Sequence, residues 1–70
     1  MTAELILKLN LLIEDLNHTQ QNIARNLISD SNYKVFEMTA NSRTEMYIQD
    51  LKTGQKYHFV QFVRSKCNCG

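Results

Sequence analysis

A chain of 70 residues makes one domain, and domains of this size bury only about 60% of the surface their unfolded chain exposes, which leaves little material for a deep cleft. Apolar residues form 43% of it, well above what a disordered chain carries, so it folds. The formal net charge of +1 excludes a strongly basic or acidic balance of the sort that by itself points to nucleic acid or a membrane surface.

Charge is not spread evenly. Residues 1–30 set Lys8 and Arg25 against Glu4, Glu14, Asp15 and Asp30, a net of −2. Residues 31–70 carry six cations and three carboxylates, a net of +3. No charged segment followed by a long apolar run and a small-residue cleavage site is present. The expectation is a cytoplasmic protein without a membrane span, in which Cys67 and Cys69 are reduced.

Residues 3–28 contain neither Gly nor Pro, and Leu5, Leu9, Leu12, Leu16, Ile23 and Leu27 recur at spacings that trace one stripe at about 100° per residue. This predicts one long amphipathic helix with Thr2 as N-cap and Glu4 in its first turn, ended by Ser29, Asp30, Ser31 and Asn32. Asn17, His18, Thr19 and Gln20 interrupt the apolar stripe for a full turn, and that is where the helix would divide.

Beyond Asn32 the composition shifts to Tyr, Phe, Val, Ile and Thr. Residues 33–39, 44–50 and 55–64 read as strands, separated by turns at residues 40–43 and at Lys52, Thr53 and Gly54. Connections this short join antiparallel neighbours. The predicted fold is therefore α+β: one long N-terminal amphipathic helix packed on a three-stranded antiparallel β-meander, in the order α-β-β-β. Residues 1–66 form the domain and residues 67–70 a flexible tail.

Strand alternation places Phe36 and Met38, with Met46 and Ile48, toward the helix. The third strand is ambiguous, because Val60 and Phe62 alternate with Tyr57, Phe59 and Val63 and both sets are apolar. With the first set inward, Tyr33, Val35, Tyr47, Tyr57 and Phe59 are left on the open sheet face. Leu7 and Leu11 likewise project well away from the helix stripe. One helix on one sheet cannot bury both surpluses, and apolar patches beyond a few hundred Å² mark contact sites.

Catalysis is not expected. Gly54 and Gly70 are the only glycines, so neither a phosphate-binding loop nor a dinucleotide fingerprint is present, and no nucleophile, base and orienting group fall into a recognisable set. Cys67 and Cys69 with His58, and His18 more remotely, are the residues able to ligate a soft metal, but a structural zinc site usually shows two paired ligand sets. No metal and no cofactor is expected, and the tail reads as free thiols. Cys67 stands four residues from the end, yet Asn68, Cys69 and Gly70 do not form a prenylation box. His58, between Tyr57 and Phe59, reads as a structural or surface group.

Gln20, Gln21, Ile23, Ala24 and Leu27 resemble the opening helix of helix-turn-helix DNA-binding proteins. The resemblance covers about nine residues and implies a tight turn near Ile28 followed by a recognition helix in the major groove, with the later strands as a wing. Residues 29–38 instead read as a loop and strand with Lys34 as their one cation. A different route to nucleic acid is an aromatic sheet face, where Tyr33, Tyr47, Tyr57 and Phe59 beside Lys56 would stack single-stranded bases.

The sequence thus points to a small non-catalytic protein-binding module, an adaptor, regulator or inhibitor of a larger protein that self-associates through apolar faces. Leu7, Leu11, Tyr47, Tyr57 and Phe59 are the expected partner-binding residues. The alternative is a nucleic-acid-binding protein, either winged helix-turn-helix-like or using an aromatic sheet face.

Overall fold

The computed structural model describes residues 2–67 and shows an α+β fold in the order α-α-β-β-β-α. Helix α1 spans Ala3–Glu14, with Thr2 as its N-cap accepting a hydrogen bond from the Leu5 N–H, and Glu4 in the first turn. Helix α2 spans His18–Ser29.

The single long helix expected over residues 3–28 is thus two helices. Asn17 starts α2 with a reciprocal cap: its Oδ1 accepts from the Gln20 N–H at 2.8 Å, and the Gln20 Oε1 accepts from the Asn17 N–H at 3.3 Å. The Gln21 side chain donates back to the Leu16 carbonyl at 3.0 Å and closes the turn. The physical reason for the break is this cap, together with the core burial that folding back allows. A straight helix of 26 residues would run about 39 Å, whereas the longest axis of the molecule is 32 Å. Folding back at Asn17 lets Leu9 and Ile13 of α1, Leu16 of the link and Ala24 and Leu27 of α2 enter one core.

Strands β1 (Tyr33–Ala40), β2 (Arg43–Asp50) and β3 (Lys56–His58) form an antiparallel sheet in that order, as a meander. The first hairpin closes through Asn41 and Ser42 with φ of 53° and 64°, two left-handed residues as a two-residue primed turn requires. In the second, the Asp50 side chain accepts from the Lys52 and Thr53 N–H groups, and Gly54 supplies the left-handed position at φ 79°.

The third strand is much shorter than the expected 55–64 segment, because helix α3 (Phe59–Lys66) begins directly after it. Phe59, Phe62 and Val63 stand at helical spacing and are all buried. The apparent strand with two apolar faces was one helix stripe. All three helices contribute to the core, which is completed by Val35, Met46 and Ile48 from one face of the sheet.

That face differs from expectation on β1. The pairs Val35 with Ile48 and Glu37 with Met46 put Val35 and Glu37 inward, so Phe36 and Met38 face away from the helices. Inward Glu37 is accommodated at the core margin by Lys8 of α1, whose Nζ lies 3.2 Å from its Oε2. No helix among the described residues is long and apolar enough to cross a membrane. Of the expected tail, Cys67 caps α3 through its N–H; Asn68, Cys69 and Gly70, and with them the expected pair of free thiols, lie outside the described residues.

Candidate binding surfaces

The five residues singled out from sequence do not share one surface. Leu7 and Leu11 stand one turn apart on the side of α1 opposite Leu9, Ile13 and Leu16, and are 62% and 57% exposed. Tyr47 lies on the open face of the sheet. Tyr57 pairs with inward-facing Ile48 and stacks on Phe62 of α3 at 4.6 Å between ring centroids, one edge reaching solvent. Phe59 is fully enclosed and belongs to the core, so it offers nothing to a partner; it was placed on the open face because residue 59 was read as strand. Tyr33 and Val35 also leave that face: Tyr33 packs against Phe62, and Val35 is buried.

Beside Leu11 lies a groove of about 480 Å³ between the C-terminal half of α1, the hairpin end of the sheet and the start of α3. Leu11, Leu12, Met46 and Val60 give it apolar walls, and Lys8, Asp15, Glu37, Arg43, Glu45 and His58 line its polar side. The charged groups largely neutralise one another. Lys8 bridges Glu4 and Glu37, and Glu45 lies 3.8 Å from Arg43 and 3.7 Å from the His58 Nε2. The His58 Nδ1 is buried and meets no protein hydrogen-bond partner among the described residues. The groove thus has one apolar wall and one wall of mixed charge. Among the described residues no three His, Cys, Asp or Glu side chains converge as a metal site.

The second surface is the sheet face turned away from the helices. Its residues are set by the primed turn, since closing the hairpin at Asn41 and Ser42 pairs Ala40 with Arg43 and therefore Phe36 with Tyr47. Tyr47 in turn pairs with His58 on β3. Phe36, Tyr47 and His58 form one row of rings across all three strands, with centroids 6.1 and 5.6 Å apart. The neighbouring row is Lys34, Gln49 and Lys56. Sequence reasoning missed Phe36 and His58 as members of this row. The signal was the Asn41-Ser42 pair, which fixes the register once it is read as a two-residue turn.

The stretch from Gln20 to Leu27 sits in α2, with Ala24 and Leu27 in the core. The next element is β1, so no recognition helix follows it. No family model, curated protein or solved structure matches the chain.

Proposed function

We propose that this protein is a small non-catalytic protein-binding module of the cytoplasm, an adaptor, regulator or inhibitor that self-associates through the outer face of α1 and the groove beside it. The observation that carries this reading is the pair Leu7 and Leu11, each more than half exposed on the face of α1 turned from the core, with Leu11 also walling the groove. Water-exposed leucines one turn apart form a ridge of the kind that packs into a helix groove of a second subunit. The solvent-reaching edge of Tyr57 adds an aromatic contact on another side of the molecule.

Burying the two leucine side chains contributes on the order of 2–4 kcal/mol, at about 25 cal/mol per Å² of apolar surface. That sum is of a size to support weak assembly and not an obligate dimer. Light scattering coupled to gel filtration, run over a wide concentration range, tests it. The wild type is expected to rise above the mass of one chain, and Leu7→Glu with Leu11→Glu to remain a monomer with unchanged circular dichroism. A wild type that stays monomeric throughout and retains no stoichiometric partner overturns the reading.

A further inference from the structure

We infer that the open face of the sheet is a binding platform for single-stranded nucleic acid, with bases on the Phe36, Tyr47 and His58 row and phosphates along Lys34 and Lys56. This surface lies apart from Leu7 and Leu11, and it meets the groove beside α1 only at its edge, through Arg43, Glu45 and His58.

Three features of the face point to that occupant. The first is the order of its rows. A single strand offers a line of flat apolar bases beside a line of negative charge, and the sheet offers a row of three rings beside a row bearing two lysines. Adjacent strands lie about 4.8 Å apart, so the ring row is roughly 10 Å long, enough for two or three bases stacked as on other aromatic sheet faces. Lys56 Nζ lies over the Phe36 ring, 5.9 Å from its centroid, and swings aside toward a phosphate when a base takes that ring face.

The second is charge segregation. The chain is nearly neutral, yet Lys34, Arg43 and Lys56 share this face with one carboxylate, Glu45. That carboxylate is flanked by Arg43 at 3.8 Å and His58 at 3.7 Å. Four of the seven carboxylates lie in residues 1–30, in the helices and loops of the N-terminal half, and Glu37 points inward to Lys8. On the helix side Lys8, Arg25, Arg64 and Lys66 balance those four carboxylates, so a polyanion is drawn to the sheet, where three cations face one carboxylate.

The third is the kind of residue at the margin. Lysine is depleted in protein–protein interfaces, whereas stacking rings flanked by lysines are what non-specific single-strand binders use. Phe36 and Tyr47 lie partly buried against the sheet, Tyr47 edge-on to His58. They can receive splayed bases but cannot wedge into a stacked duplex.

The test is fluorescence anisotropy with labelled DNA and RNA single strands of about twelve nucleotides, a length within the usual site size, and the corresponding duplex as competitor. Single strands are expected to bind, the duplex to compete poorly, and affinity to fall steeply with salt. Replacing Lys34 and Lys56, both exposed, by Gln should lower the slope of log affinity against log salt by about 1.4 without disturbing the fold. Tyr47→Ser should weaken binding roughly tenfold with little change in that slope. Leu7→Glu should leave binding unchanged. Absence of binding at low salt up to about 100 μM protein overturns the proposal, since even non-specific binders reach that range. Equal binding of duplex and single strand overturns it, as does full retention of affinity in the double lysine variant, which is the arm that stands should Tyr47→Ser fail to fold. Binding of a protein to this face, with no nucleic acid bound, overturns it as well.

Discussion

His58 illustrates how one residue is claimed by several surroundings. It ends β3, precedes the first turn of α3, meets the Tyr47 ring edge-on and lies beside Glu45. Its Nδ1 is nevertheless buried without a protein partner among the described residues, and such a nitrogen costs about 1–3 kcal/mol relative to a satisfied one. Its contact with Glu45 is long and partly solvated, so its loss costs little. Substituting an apolar ring of similar shape should then be harmless. We expect His58→Phe to keep or raise the thermal midpoint, followed by circular dichroism. A fall of about 4–8 °C, corresponding to roughly 1 kcal/mol in a domain of this size, would show that the imidazole makes a hydrogen bond the fold needs. Nothing in the sequence around residue 58 distinguishes this situation from a surface histidine, because burial of one ring nitrogen depends on the tertiary packing around the junction of β3 and α3.

At the scale of elements, the decisive feature is the cap at Asn17. Asn-x-x-Gln is a helix-start signature, and it was legible in residues 17–20 as an interruption of the apolar stripe. Its strength relative to helix continuation was not, because the apolar spacing resumes in phase at Ile23 and Leu27. Asn17→Ala removes the acceptor for the Gln20 N–H and should destabilise the protein by about 1 kcal/mol, within the 0.5–2 kcal/mol range of such caps. A urea titration reads this directly, and an unchanged midpoint would mean that packing of α1 on α2 alone holds the break. The end of β3 follows the same logic in reverse. Phe59, Val60, Phe62 and Val63 satisfy both a strand and a helix pattern over so few residues, and period alone cannot separate them. Three-dimensional space separates them: a strand would leave half of these side chains in water, whereas a helix lays Phe59, Phe62 and Val63 into one core.

The whole molecule is held by a small number of residues. Its core contains eleven buried apolar side chains among the described residues, three of them from α3. Chains of this length have a net stability of roughly 3–10 kcal/mol at 0.05–0.15 kcal/mol per residue. Removing a fully buried phenylalanine costs about 3–5 kcal/mol. Phe59→Ala is therefore expected to consume most of the stability, leaving a largely unfolded population at 37 °C and an early urea midpoint. A loss below about 1 kcal/mol would place Phe59 outside a packed core. The same smallness leaves Leu7 and Leu11 uncovered on one side and the ring row on the other, since three short helices cover only one face of the sheet.

Sequence by itself determined the α+β class, the Thr2 cap, the two hairpins with their turns, and Leu7 and Leu11 as surplus apolar surface. These follow from local propensity and from spacing along one element, which need no knowledge of neighbours. Tertiary structure decided the division of the N-terminal helix, the short third strand with α3 behind it, the inward placement of Val35 and Glu37, and the alignment of Phe36, Tyr47 and His58. Within that alignment, the pairing of Phe36 with Tyr47 follows from the Asn41-Ser42 turn. The helix break, α3 and the choice of inward face depend on which arrangement leaves less apolar surface in water, a comparison that exists only when all the elements are packed together.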